Sequence, residues 1–356
     1  MKPKIIIDLQ KLTHNANALA ELTKQHGISM AAVTKVFCAN PVMVNALSAL
    51  PFEYLADSRL ENIAAYPAHA PQKRMLLRLP AHSEAEEVVR LCDVSLNSEI
   101  STLAKLADAG KKLGKAHGVV LMIDLGDLRE GIFYSDTEKL YSTAEYIISR
   151  KSLDFVGIGT NLTCYGSVRP TVENLGQLIS IAQNIRTKYG INLPMVSGGN
   201  SSSLYLLDNG DIPAGINNLR FGEGIICGTE AAFGKPFPGL KTNVVTLEAE
   251  IIEIADKPSM PEGQRNFNAF GETVEYKDKG IHRRAILAVG RQDLHQDGLT
   301  CLEDGVEIIG ASSDHLIADI SGAKTPLQVG GKLSSAMSYG AILSAFTSKY
   351  VDKIYV

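Results

Sequence analysis

From Met30 onward, short and nearly continuous apolar runs alternate with segments whose apolar residues recur at helical spacing. The runs are Met30–Val36, Glu53–Ser58, Arg74–Leu79, Val94–Asn97, Val119–Leu125, Phe155–Thr163, Met195–Ser197 and Leu219–Ile226. Most of these eight runs are followed by polar residues or glycine. A strand covered on both sides has no polar face to show, so such runs predict buried parallel strands. Between them, Leu103, Leu106, Ala107 and Gly110 follow Ser101–Thr102, and Leu140, Ala144, Ile147 and Ile148 follow a cap at Ser135 or Asp136. Leu175, Leu178, Ile179, Ala182 and Ile185 predict a further helix that Gly190 would end. Eight strand-helix alternations over roughly two hundred residues predict a (β/α)8 TIM-type barrel. An open doubly wound sheet competes with it. No GxGxxG follows an early strand, which weakens the dinucleotide-binding version of that sheet.

The texture changes after about Pro238. Asn243–Ala255, Arg284–Val289, Val306–Ile309 and His315–Ile320 are β-rich, and glycines recur between them. This predicts a mostly β C-terminal domain over 239–356, joined through Pro236–Gly239 to a barrel over 11–238.

Composition narrows the function. The 356 residues are 45% apolar and 21% charged, with a net charge of −4, which argues against a nucleic-acid surface or an anionic-membrane binder. Cys38, Cys92, Cys164, Cys227 and Cys301 are scattered and contain no CxxC pair. That excludes a zinc finger or disulfide framework, provides no metal site and points to a reducing compartment. No apolar stretch approaches membrane-spanning length, and Met1–Asp8 lacks a signal-peptide layout. A soluble, cytoplasmic protein is expected.

In a parallel barrel, reactive groups belong at the C-terminal strand ends. Those ends carry Lys35, Asp57, Arg78, Asn97, Asp124, Asn161, the Gly198–Ser201 turn and Arg220. Lys35 follows Ala31–Thr34 directly. A lysine there is either a Schiff-base former, its pKa lowered by burial, or a side chain reaching from a strand end to water. Ser197–Ser203 combines glycines, hydroxyls and the start of an apolar helical segment, Leu204–Leu207. It reads as a phosphate cradle or as an ordinary capped loop. Arg220–Gly224 puts a permanent cation beside flexible backbone, to pair with a carboxylate or with a ligand acceptor.

At these residues the chain resembles the alanine-racemase family of fold-type III pyridoxal-phosphate enzymes, most closely the ornithine/lysine racemase branch. Ile5–Leu9 with Leu12 and His14–Asn15 is similar to the family's opening strand and first helix, and a strand within residues 1–10 is expected to join the C-terminal β domain. Ala32–Lys35 stands where the family has its cofactor lysine, and Asp124–Gly131 resembles its Asp-Thr-Gly-x-x-Arg-x-Gly element. Asn200–Ser201 matches its phosphate pair, and Arg220–Gly222 its Arg-x-Gly. Gly271–Val274, Val289–Asp293 and Asp314–Asp319 extend the likeness into the second domain, and Thr34–Cys38 with Val289–Asp293 carries the branch.

The resemblance implies a pyridoxal 5'-phosphate-dependent amino-acid racemase of ornithine or lysine, working as a homodimer with shared active sites. It implies catalytic roles for Lys35 and Arg129, and cofactor contacts from Lys35, Asn161, Asn200, Ser201, Arg220, Gly222, Glu223 and Tyr339. Arg291, Asp293 and Asp314 are expected near the substrate. Arg291 occupies the position of the family's tyrosine acid/base, Asn161 that of its histidine partner, Met122 that of the lysine supporting the element's arginine, and Ala39 that of a tyrosine after the cofactor lysine. A guanidinium is a poor base. The second acid/base is therefore sought among Cys164, Tyr165, Asp293, His295, Asp314 and His315. A basic-amino-acid decarboxylase and a non-catalytic cofactor-binding protein are the alternatives. The first would present an acidic residue to the pyridine nitrogen, and the second would lack a C-terminal domain.

Overall fold

A computed structural model describes residues 2–356, which group into two compact units, one of residues 2–9 with Asn243–Val356 and the other Gln10–Thr242. In the larger unit, eight parallel strands run Ser29–Val33, Tyr54–Asp57, Lys73–Leu76, Val94–Asn97, His117–Asp124, Leu153–Gly159, Met195–Ser197 and Asn218–Phe221. Each pairs with the next, and the eighth returns to the first through Asn218↔Ser29 and Phe221↔Ala32. The sheet is therefore closed, as the alternation predicts.

Most strands are buried at every residue, so no polar face appears along them. Inward-facing Ala31, Val33, Ala56, Met75, Leu96, Val120, Met122 and Met195 form one apolar cluster. Gly157 lets the sixth and seventh strands approach closely, since a Cβ there would lie 2.2 Å from the Met195 carbonyl oxygen.

The predicted helices follow their local signals. Ile100–Leu113 closes on Gly114, at φ 64°. Asp136 caps Thr137–Ile148 by accepting from the Lys139 amide. Thr171 and Asn174 cap Val172–Tyr189 reciprocally, and Gly190 ends that helix at φ 61°.

Several strands stop earlier than their apolar runs. The first ends at Val33, because Thr34 starts a 3-10 turn, Lys35–Phe37, followed by left-handed Cys38 and Ala39. Phe155–Thr163 ends as a strand at Gly159, and Leu219–Ile226 splits into a strand and the short helix Glu223–Cys227. In both cases the apolar run continues into the loop that carries polar strand-end residues.

The smaller unit is mostly β. Leu299–Cys301, Lys332–Met337, Val245–Pro258, Ile281–Leu287, Leu316–Asp319 and Glu307–Ala311 lie side by side in that order, antiparallel. Lys4–Ile7 joins this sheet, antiparallel to Val245–Glu248 and parallel to Asp352–Tyr355. Val245, Leu247, Ala249 and Ile251 are buried alternately, the two-residue period of a half-covered strand. A helix, Tyr339–Thr347, capped by Ser338, was not legible in the β-like texture. No described helix is long and apolar enough to cross a membrane.

Candidate active site

The turn that carries Lys35 follows the first barrel strand, and Asp57 at the C-terminal end of the second strand holds it in place. Asp57 is wholly buried and accepts from the Thr34 hydroxyl at 2.6 Å, the Ser58 amide at 2.7 Å and Asn62 Nδ2 at 3.0 Å. Burial raises the Asp57 pKa against the pull of these bonds. The same threonine hydroxyl meets the Tyr66 hydroxyl at 2.7 Å. Thr34 is thereby fixed, and Lys35 departs from it at the strand mouth rather than from the strand itself.

Lys35 is half-buried, and burial pushes its ammonium below the usual lysine range. The charge of Arg129 pushes in the same direction, while Cys164, Asp57 and Glu130 oppose it. These five residues therefore share one electrostatic neighbourhood.

Arg129 sits in the loop after the fifth strand. Asp124 shapes that loop by accepting from the Gly126 amide at 2.8 Å and the Leu128 amide at 3.1 Å. Gly131, at φ 124°, closes it, because a Cβ there would lie 2.6 Å from the Asp124 nitrogen. Ile132 then pairs beside Ile123. Within the loop, Arg129 donates from Nε and Nη2 to the carboxylate of Glu130.

Glu130 also accepts from Asn161 Nδ2. Asn161 in turn accepts from Arg220 Nη2 through Oδ1, at 2.7 Å. Arg220 is buried, and donates further to Ser197 Oγ and to the Thr160 carbonyl oxygen. Burial pushes its pKa down to about 10, with Glu130 and Cys164 pulling upward, so it remains a cation at neutral pH. Arg129, Glu130, Asn161 and Arg220 form one continuous chain across the barrel mouth.

The loop after the sixth strand is pinned from below. Asp127, fully buried, accepts from the amides of Cys164, Tyr165 and Val168 at 2.9–3.2 Å. Cys164 Sγ is reached by Asn200 Nδ2 at 3.5 Å. Burial holds its thiol above the usual range, against the charge of Arg129.

After the seventh strand, Asn200 caps the 3-10 turn Ser201–Ser203 by accepting from the Ser202 amide at 2.9 Å. Only the five-residue helix Leu204–Asp208 follows. Ser201 Oγ accepts from the Gly224 amide at 3.0 Å, tying this turn to the eighth strand end. There Gly222 precedes the five-residue helix Glu223–Cys227 without a side-chain cap of its own, and the Gly224 amide in the first turn is the one taken by Ser201. Gly222 also lies close to Val33, since a Cβ would stand 3.3 Å from the valine Cβ. The Glu223 side chain accepts from Thr229 at 3.2 Å and is kept above the usual carboxylate range by burial.

These residues suit pyridoxal phosphate chemically. They offer an amine whose charged form burial disfavours, a glycine- and hydroxyl-lined turn and a buried guanidinium. Thr160 Oγ1, beside them, is buried with no hydrogen-bond partner among the described residues.

Not every polar strand end joins the group. Arg78 reaches Glu84 at 2.7 Å instead, and Asn97 bonds back to Ser95. Glu130 was overlooked at the sequence level, because adjacent residues seldom face each other. A carboxylate between an arginine and a glycine in that element was the available signal.

In the smaller unit, Arg291 donates to both Glu272 oxygens, at 2.7 and 2.8 Å, and lies 3.8 Å from the Phe270 ring centroid. Asp293 accepts from Ser348 at 2.7 Å and Asp314 from Ser313 at 2.6 Å. Tyr339 is the first residue of its helix. No cluster of His, Cys, Asp or Glu among the described residues suits a metal ion.

Residues 7–229 match the family model for the alanine racemase N-terminal domain. The chain is 46% identical to an ornithine racemase of Acetoanaerobium sticklandii over 353 residues, covering 99% of each. It is 36% identical to a lysine racemase of Thermotoga maritima over 354 residues, covering 99% of this chain and 98% of that one. Among solved structures, an alanine racemase of Streptomyces coelicolor superposes with a TM-score of 0.77 at 18% identity, over 100% of this chain and 98% of that one. An alanine racemase of Bartonella henselae with covalently bound pyridoxal phosphate gives a TM-score of 0.75 at 18% identity, covering 100% of both.

Proposed function

This chain belongs to the alanine racemase family, and from that premise we propose that it is a pyridoxal-phosphate-dependent racemase acting on ornithine. The observation that carries the reading is Lys35, an amine at the barrel mouth whose charged form is disfavoured by burial. The likeness to the ornithine racemase exceeds that to the lysine racemase, 46% against 36%, and supports ornithine as the substrate.

Lys35 is the residue that carries the cofactor. Ser201, Asn200 and the backbone of Gly222 and Glu223 hold its phosphate, with Tyr339 assigned to the same task. Arg220, anchored by its bonds to Ser197 and Asn161, is the cation that would meet the cofactor's ring nitrogen and disfavour its protonation. The cofactor, when bound, supplies an electron-withdrawing ring that acidifies the substrate's α-C–H bond. Lys35 Nζ then takes or returns that proton on one face. Arg129 meets the substrate carboxylate. The second proton carrier is drawn from Cys164, Tyr165, Asp293, His295, Asp314 and His315.

The working form is a homodimer in which the C-terminal unit of each copy completes the other's site, and this assigns Arg291, Asp293 and Asp314 to the substrate side. Glu272 neutralises Arg291 there, so the guanidinium does not repel a distal ammonium. The decarboxylase alternative asks for an acidic residue where Arg220 stands, and the non-catalytic one for a chain without the second unit.

Incubation of the purified holoenzyme with each L-amino acid in deuterated water tests the reading. L-Ornithine should lose its optical rotation and gain one deuterium at the α-carbon, without release of carbon dioxide. Carbon dioxide release, or no exchange on any amino acid, would overturn it.

A further inference from the structure

Consecutive side chains normally diverge, yet Arg129 and Glu130 meet in a two-pronged pair. The loop is shaped for this. Asp124 gathers its amides, Leu128 turns left-handed at φ 57°, and Gly131 passes where any Cβ would strike the Asp124 backbone. A surface pair of this kind would contribute little. The Glu130 side chain, however, is only 14% exposed, and its far side is held by Asn161. Asn161 is in turn held by the buried Arg220. Beneath the loop, Met122 of the fifth strand is buried and apolar, and the Asp124 carboxylate at that strand's end is engaged by the Gly126 and Leu128 amides. The anion beside Arg129 therefore comes from within the loop.

Resting on the racemase reading, we propose that Glu130 is a positioning residue: it aims Arg129 at the substrate carboxylate and couples that aim, through Asn161, to Arg220. Its carboxylate is suited to the task because Oε1 accepts from both Arg129 Nη2 and Asn161 Nδ2, while Oε2 accepts from Arg129 Nε. An amide has a single acceptor oxygen, so glutamine must turn an NH2 toward one of these donors. Aspartate keeps the charge but falls one methylene short of spanning both neighbours. Burial alone would raise the Glu130 pKa; the bonds from Arg129 and Asn161 outweigh it and keep the group ionised.

The test compares wild type, Glu130→Gln, Glu130→Asp, Arg129→Lys and the double variant that combines Arg129→Lys with Glu130→Gln, all loaded with pyridoxal phosphate. The probe is α-methylornithine, which has the carboxylate but no α-hydrogen, and its dissociation constant is read from the cofactor's visible absorbance. Loss of a hydrogen-bonded charge partner should weaken the probe about tenfold in Glu130→Gln, with KM for L-ornithine rising more than kcat falls. In the Arg129→Lys background the same change should cost less than about twofold, because a single ammonium cannot use the carboxylate's two oxygens. Should Glu130→Gln fail to fold, Glu130→Asp must still weaken the probe measurably. Wild-type affinity in either variant, or full additivity in the double variant, would overturn the proposal. A wild type that binds the probe and racemises nothing would refute the racemase reading alone.

Discussion

The surroundings of Lys35 make its charged form costly. Burial is the main cause and Arg129 the next, whereas Cys164, Asp57 and Glu130 work the other way. An amine attacks an aldehyde only when deprotonated, so the protein without cofactor should combine with pyridoxal phosphate at a rate that rises with pH. Its midpoint should lie below that of free lysine. Replacing Arg129 with methionine removes one of the causes that lower the pKa, and the midpoint should move upward in a stopped-flow absorbance titration. An unchanged or lower midpoint would show that Arg129 does not act on this amine. Lys35 was legible in the sequence because it follows Ala31–Thr34 directly, and Arg220 because it stands beside the flexible Gly222–Gly224 backbone. Glu130 was not, because its contact with Arg129 depends on loop dihedrals at Leu128 and Gly131 that no spacing rule encodes.

At the scale of elements, two loops act as one. Asp127, in the loop after the fifth strand, collects three amides from the loop after the sixth, and the Gly166 amide bonds back to the Asp127 carbonyl oxygen at 3.0 Å. Removing that carboxylate strands three donors. Asp127→Ala should therefore destabilise the barrel unit by about 3 kcal/mol and lower its thermal midpoint by roughly 5–10 °C, measured by calorimetry. Asp127→Asn, which keeps one acceptor oxygen, should lose less. A midpoint unchanged in the alanine variant would contradict the staple. The strands were legible because burial on both faces leaves an unmistakable apolar run, and Val94–Asn97 and Met195–Ser197 have the expected bounds. Their ends were harder to place, since hydropathy does not register the hydrogen bonding that stops the first strand at Val33, where Thr34 turns toward Asp57.

At the scale of the molecule, the barrel unit holds Lys35, Arg129 and Arg220, while Arg291, Asp293, Asp314 and Tyr339 lie in the unit formed by residues 2–9 and Asn243–Val356. If each copy's C-terminal unit completes its partner's site, two inactive variants should rescue one another. Lys35→Ala and Asp314→Asn, each weak alone, should regain about one quarter of wild-type turnover when co-expressed, because half of randomly formed dimers then hold one intact site. No rescue would place all the essential groups within one chain. The barrel and its sheet partner were readable from alternation and turn spacing, but how two copies meet leaves no periodic trace in one chain. The account as a whole depends on a single bond between Lys35 and the cofactor's aldehyde carbon. Borohydride reduction of the holoenzyme, followed by digestion and mass spectrometry, tests it most directly. The account predicts a phosphopyridoxyl mass on the peptide bearing Lys35 and on no other lysine. An unmodified Lys35 after reduction of a fully active holoenzyme, or the label on a different lysine, would contradict it.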